Sequence, residues 1–363
     1  MKILHLIDSL NAGGAERMAV TYANALADRG EDIWLWSTRE EGALKESIGE
    51  KVSYSFLNRK GPIGLKALWH AQKQIKKEGI HIIHAHSTSF FFATLLKLLR
   101  PEVRLVWHDH YGKSEMLHNR DHKILGFCSR YFNVIFTVNL QLQYWVFENL
   151  KCKEVFYIKN FTKAQKKLIS EVKFKGIPSK RIICVANLRE QKDHFTLVDA
   201  FARLIKTHPE WTIHLIGKNW DDIYYKQLFK KIYDLKLSDS VFYYGSLEDV
   251  LGLLNQATIG VLSSASEGLP LALLEYGIAG LPVVTTDVGH CREVVQDYGK
   301  VVSSQNPEAL AEALKLYMED AELRKADGAA FQKHIQQNYT EDAVIPKVIE
   351  IYRKLEVRSS GGS

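Results

Sequence analysis

"IGVLSSASEGLPLALLEYGIAGLPVVTTD", residues 259–287, decides the architecture. The apolar run "IGVL" passes into a small polar loop. Pro270 then suits a first helical turn, nothing breaks the pattern until Gly280, and Pro282 opens the β-branched run "VVTT". Strand, loop, helix and strand in one short stretch make a βαβ unit, whose two strands run parallel because a helical crossover joins them. Two glutamates, Glu267 and Glu275, interrupt the otherwise apolar segment. Charged carboxylates are almost never fully buried without partners, so two in so apolar a segment need an explanation other than the core.

The same rhythm extends in both directions. Upstream of residue 160, "KILHLID", "DIWLWST", "IHIIHAHS", "VRLVWHDH", "VIFTVN" and "EVFYIKN" read as strands, with helix-period segments such as "GGAERMAVTYANALADRG" and "GLKALWHAQKQIKKEG" between them. After a polar, lysine-rich stretch at 161–180 the pattern restarts with "RIICVANL", "WTIHLIGK", "VFYYGS", "IGVLSS" and "PVVTTD". Alternation of this kind gives α/β domains with parallel sheets covered by helices on both faces. The expectation is two Rossmann-like, doubly wound domains, 1–165 and 166–340, facing each other across a cleft. A helix at about 341–357 is expected to pack back on the first domain, and the "SSGGS" end, with 358–363 taken as a tail, is set aside.

With 363 residues, 46% hydrophobic and 25% charged, the chain has an ordinary globular composition, and its length favours two domains over one. Cys128, Cys152, Cys184 and Cys291 are scattered without a CxxC pair, which argues against a disulfide framework and for a reducing, cytoplasmic setting. Asp8 interrupts the N-terminal apolar run too soon for a secretory leader, and "FFFATLLKLL" (90–99) is too short to span a bilayer. The net charge of +6 is unevenly spread: residues 51–100 carry Lys51, Arg59, Lys60, Lys66, Lys73, Lys76, Lys77, Lys97 and Arg100 against Glu78 alone. Such a stretch either attracts phosphates, among them anionic lipid head groups, or is a solvated helix face.

Candidate chemistry lies just after the strands, where doubly wound sheets bind ligands. Gly13 and Gly14 in "NAGGAER" bare the backbone at a helix start, suited to an anion or simply to a tight turn. The pattern is not GxGxxG and no acidic residue ends the second strand, which counts against a nicotinamide enzyme. His84 and His86, and likewise His108 and His110, stand at strand spacing i, i+2, so each pair shares one face. That spacing admits a zinc site, and with it a metal-dependent hydrolase, or an acid/base or hydrogen-bonding role for one histidine; the further carboxylate or histidine ligand that a hydrolytic zinc site uses does not stand out. Arg189 and Lys192 in "VANLREQKDHF" suit a diphosphate or form a solvated basic loop. Glu267 and Glu275 are too far apart to share a proton and must grip different parts of one extended ligand. Between them the amides of Leu271 and Ala272 open a helix and suit a phosphate. Carboxylate, phosphate site, carboxylate is the order of a sugar nucleotide.

At this point the chain resembles a known family. "EGLPLALLE" matches the E-x7-E element of retaining GT-B glycosyltransferases of family 4, and "GGAER", "IIHAHS", "YIKN", "ANLREQKDH" and "GLPVVTTDVGHCREVV" resemble further family segments in the same order. The resemblance implies a hexosyltransferase that uses a nucleotide sugar, UDP-linked, and a saccharide or lipid-linked saccharide acceptor in cell-surface polysaccharide synthesis. Glu267 would hold the sugar hydroxyls and Glu275 the ribose. Arg189 and Lys192 would neutralise the leaving diphosphate with Gly13, Gly14 and the helix start, and His110 would contact the sugar. Gly217, Ser246, Val250, Gly268, Leu269, Leu271 and Ala272 would border the nucleotide sugar. Asn187 stands where the family carries its phosphate arginine, so that role passes to Arg189, two residues on. No Asp-x-Asp is present, so neither a metal nor another cofactor is expected, nor a nucleic-acid partner; peripheral contact with anionic membrane is. The competing readings are the metal-dependent hydrolase and a nucleotide-sugar-binding protein without turnover.

Overall fold

The computed structural model describes residues 1–11, 13–111, 117, 120–162, 172–247, 250–268 and 270–360, with the backbone alone at 357–360. It divides into two compact units, Met1–Asn160 with Glu341–Ser363, and Phe161–Thr340.

The first unit runs β1 (Lys2–Ser9), α1 (Gly14–Asp28), β2 (Asp32–Glu40), β3 (Val52–Phe56), α2 (Leu65–Glu78), β4 (Ile82–His86), α3 (Phe90–Leu99), β5 (Arg104–Asp109), α4 (Lys123–Cys128), β6 (Val134–Thr137), α5 (Leu140–Asn149) and β7 (Val155–Tyr157). Its seven strands are ordered β3-β2-β1-β4-β5-β6-β7 and all pair in parallel. The second unit runs β8 (Arg181–Val185), α6 (His194–Leu204), β9 (Thr212–Ile216), α7 (Ile223–Asp234), β10 (Val241–Tyr243), α8 (Val250–Leu254), β11 (Ile259–Leu262), α9 (Leu271–Ala279), β12 (Val283–Thr286), α10 (Cys291–Val295), β13 (Lys300–Val302), α11 (Pro307–Glu319) and α12 (Ala321–Asn338). Its order is β10-β9-β8-β11-β12-β13, again all parallel. The last helix, α13 (Glu341–Ser360), belongs to the first unit and packs against α1.

Both sheets are therefore doubly wound, as the alternating pattern requires. β3 and β13 escape the sequence reading because each is a short edge strand with half-exposed residues and no continuous apolar run. Pro270 is the N-cap of α9 (φ −77°, ψ 105°) rather than a residue of its first turn, and Gly280 closes the helix at φ +73°. The segment set aside as a tail begins inside α13, which continues through Ser360. No helix among the described residues is long and apolar enough to cross a membrane, and all four cysteines are buried and unpaired.

Strand periodicity gives the first sheet two unlike faces. Leu4, Leu6, Ile83, Ala85, Leu105 and Trp107 form an aliphatic and aromatic core with α2–α5. The opposite face of β1, β4 and β5 carries His5, His84, His86 and His108, all fully buried, with Tyr22 of α1 and Tyr352 of α13 against them. Burial holds His5 and His110 at about 3. It also holds His84, His86 and His108 well below the usual 6.5, with neighbouring imidazoles adding to the shift. All five are neutral at pH 7.

A lowered folded-state pKa means that the unfolded chain binds protons first as the pH falls. Stability from these groups is complete above about pH 6.5 and declines as the pH falls below it, because the unfolded chain takes up protons that the buried rings refuse. Thermal melts should thus be level from pH 8 to 6.5 and fall between pH 6.5 and 5, above the carboxylate range, and His5→Leu should flatten that fall. An unchanged slope in the variant would contradict the burial of a neutral His5.

Candidate active site

In the second unit β8 and β11 lie side by side while their connections leave in opposite directions, which makes the carboxyl ends of these two strands the switch point of the sheet. The ladder between them pairs Ile259 with Ile182 and Gly260 with Ile183. Further up, the buried Tyr276 hydroxyl accepts the Val185 amide at 2.7 Å and donates to the Val261 carbonyl at 3.2 Å. Gly260 makes room for that ring, since a Cβ there would lie 2.7 Å from it.

Above the bridge, backbone and hydroxyl bonds tie the β11 loop to the β8 loop on one side and to β12 on the other. The Ala265 amide donates to the Gln191 carbonyl at 2.9 Å, the Ser263 hydroxyl to the Asp193 carbonyl at 3.0 Å, and the Thr286 hydroxyl to the Ser264 carbonyl at 2.6 Å. On the far side the His290 amide donates to the Gly268 carbonyl at 3.1 Å. Gly289, at φ +52°, must be glycine, because a Cβ would collide with the Glu267 carbonyl. Glu267 is thus fixed from both sides.

Its carboxylate accepts from Lys192 Nζ at 2.5 Å and from the Ser264 hydroxyl at 2.6 Å, on the same oxygen, and its side chain is 7% exposed. The structure therefore joins two residues that the sequence assigned separately to sugar and diphosphate. Arg189, exposed on the same loop as Lys192, stacks its guanidinium 4.0 Å from the Trp220 ring centroid. Gly217 follows β9 at a point where a Cβ would collide with the Ala186 carbonyl, so the β8 and β9 loops approach at backbone distance. Leu271 and Ala272 open α9, and Glu275 sits half-buried on that helix. Ser246 is exposed beyond β10, and Val250 begins α8. Leu269 lies outside the described residues. Sequence reading missed Ser264 and Trp220, although both lie on loops that leave strands, Ser264 after β11 and Trp220 after β9.

In the first unit Gly13 is the N-cap of α1 and Gly14 its first residue. The Glu16 carboxylate folds back against Gly13, so this helix start already holds an acidic group, whose pKa burial raises. Two residues counted among the surface cations are tied into the fold, Arg59 buried and Lys97 half-buried. Arg59 is buried in an ion pair with Asp8 at 2.7 Å, and Asp8 also accepts from Thr38 and Thr88. Lys97 donates to the carbonyls of Pro101 and Val103. The histidines form two hydrogen-bonded rows. His5 Nδ1 meets His86 Nε2 at 3.0 Å, and His86 Nδ1 meets His110 Nε2 at 3.1 Å. Beside that row, Tyr352 Oη meets His84 Nδ1 at 2.5 Å and His84 Nε2 meets His108 Nδ1 at 3.2 Å. Nitrogens of His5, His84 and His86, and of His86, His108 and His110, lie within 4.8 Å of one another, so each trio offers candidate metal ligands. His5 joins the HxH pairs only through the pairing of β1 with β4, which sets it opposite His84.

The profile of the family described as Glycosyltransferase Family 4 matches residues 12–161, and that of Glycosyl transferases group 1 matches residues 165–334. An uncharacterized glycosyltransferase of Haemophilus influenzae is 24% identical over 359 residues, covering 94% of this chain and 96% of that one. The amylovoran biosynthesis glycosyltransferase AmsD of Erwinia amylovora is 24% identical over 335 residues, covering 89% and 92%. Among solved structures, Anabaena Alr3699/HepE, crystallised in complex with UDP, superposes with a TM-score of 0.81 at 17% identity, covering 98% of this chain and all of that one. With its two doubly wound parallel sheets and the E-x7-E element seated at the switch point of the second, the chain belongs to the GT-B glycosyltransferases of group 1 and family 4.

Proposed function

We propose that this glycosyltransferase is a retaining enzyme that moves a hexose-type sugar from a UDP-sugar to a saccharide or lipid-linked saccharide acceptor in the assembly of a cell-surface polysaccharide. The observation that carries the reading is the placement of Glu267 at the switch point, held by Lys192 and Ser264, with the start of α9 and then Glu275 beyond it. In this reading Glu275 takes the ribose hydroxyls and the α9 amides take a phosphate. Lys192 turns from Glu267 to the leaving diphosphate, which frees Glu267 for the sugar hydroxyls. Arg189, braced on Trp220, supplies the second cation without a carboxylate competing for it among the described ion pairs. His110, by the family resemblance, contacts the sugar. The leaving phosphate would accept the acceptor's proton on the face it departs from, which retains configuration. The UDP complex of the Anabaena protein supports the choice of base, and the amylovoran relative supports a polysaccharide product.

We further propose that the N-terminal unit docks on the anionic inner face of a membrane, where a lipid-linked acceptor is presented. α2, α3 and α4 pack side by side and expose Leu65, Trp69, Leu98, Leu99, Ile124 and Phe127. Lys73 Nζ lies 3.5 Å from the Trp69 ring centroid, and Lys66, Lys76 and Lys77 are exposed on the same helix. Apolar and aromatic side chains interleaved with lysines match a head-group interface, and each cation contributes on the order of 1 kcal/mol there.

Glu275→Ala should lose charge-assisted bonds of about 1.5–3 kcal/mol, a ten- to hundredfold loss of UDP-sugar affinity by calorimetry with the melting temperature kept. Unchanged affinity would remove Glu275 from the site. The proposed reaction uses protein cations in place of a metal, so sugar transfer should survive EDTA. Loss on chelation, restored by manganese or zinc, would instead place a metal in the reaction. Co-sedimentation should require anionic vesicles, decline at high salt, and weaken when Lys73, Lys76 and Lys77 become Glu. Equal recovery on neutral vesicles would leave the exposed patch without an electrostatic role.

A further inference from the structure

A neutral imidazole has one N–H and one lone pair, so a row of hydrogen-bonded imidazoles has only two proton arrangements. In the row His5–His86–His110, either every ring carries its proton on Nδ1 or every ring carries it on Nε2. In the first arrangement His5 Nδ1–H donates to His86 Nε2 and His86 Nδ1–H donates to His110 Nε2. In the second, both bonds reverse. The end of the row decides between them. His5 Nε2 is fully buried and has no hydrogen-bond partner among the described residues. The Nε2–H arrangement would strand a donor there, whereas the Nδ1–H arrangement strands only a lone pair. Orphaned buried N–H groups are the rarer of the two. Burial keeps all three rings neutral, so neither bond is made by a charged imidazolium.

We propose that His5 and His86 are positioning residues that lock His110 as its Nδ1–H tautomer, so that at the carboxyl end of β5 it presents a neutral hydrogen-bond donor and no free lone pair. The proposal rests on the assignment of His110 to the sugar. His110 then donates to a sugar or phosphate oxygen and cannot serve as a general base, because its one lone pair is held by His86. A ligand that needed an acceptor there would have to shift three protons together and leave an unpaired N–H at His5.

Two-bond 1H–15N correlation spectra of the full chain labelled with 15N-histidine read the tautomers directly. The expected result is Nδ1–H, the minor form of free histidine, at His5, His86 and His110 alike. Kinetics of two variants test the coupling. His5→Leu fits an apolar setting but removes the donor to His86, and should lower kcat about tenfold with donor KM nearly unchanged. His5→Asn places an amide N–H near the Nδ1 position and should recover most of that loss. An Nε2–H form at His110 would overturn the proposal, as would equal activity of the Leu and Asn variants at equal melting temperature. One equivalent of zinc in the purified protein, held on these nitrogens, would overturn it too. His110→Phe separates the two readings: wild-type kcat in that variant would remove His110 from the reaction, while the spectra would still report on the row.

Discussion

The hydroxyl of Tyr276 closes the gap that the second sheet's topology opens. Where β8 and β11 part toward different crossovers, backbone groups at their carboxyl ends lose ladder partners. One phenol accepts the Val185 amide and donates to the Val261 carbonyl. Leaving that amide unpaired in the interior would cost about 1–3 kcal/mol. The ring reaches the gap only because Gly260 has no side chain beneath it. Lys192 and Glu267 both sit on loops that leave these two strands, so their separation is set by this bridge and by the backbone bonds above it.

The ion pair those loops hold is a poised contact. A carboxylate with 7% of its side chain exposed needs a partner, and Lys192 and Ser264 both supply one. Lysine suits an exchangeable partner, being a compact charge on a flexible stem. Arg189 is braced differently, by an aromatic face that orders the guanidinium without neutralising it. Lys192 rests on a carboxylate and Arg189 on a ring, and in the proposed reading both turn to the diphosphate.

The first sheet shows the other use of strand periodicity. Successive residues of β1, β4 and β5 face opposite ways, so one side is an aliphatic core and the other carries imidazoles. Each buried ring shares a hydrogen bond with a neighbouring ring or with the Tyr352 hydroxyl, in one row from His5 to His110 and another from Tyr352 of α13 to His108. Among the described residues only the outer Nε2 atoms of His5 and His108 are left buried without a partner in these rows.

The sequence alone determined the doubly wound architecture, because parallel strands joined by helical crossovers need apolar runs alternating with helix-period segments, and both are visible as pattern. It also singled out Glu267, Arg189 and Lys192 as charges on loops that follow buried strands, and Glu275 as a charge within an otherwise apolar helix. Edge strands β3 and β13 stayed hidden because half-exposed strands carry no such pattern. Three features needed the tertiary structure. Lys192 and Glu267, 75 residues apart, meet only through the adjacency of β8 and β11. Arg59, which reads as one more surface lysine-like charge, is buried against Asp8. His5 stands alone in its strand and becomes part of a row only when β1 pairs beside β4. Local pattern records which way a side chain points along its own strand. Which strand lies next to it is set by crossovers that span tens of residues, and only the folded sheet brings those residues within hydrogen-bond reach.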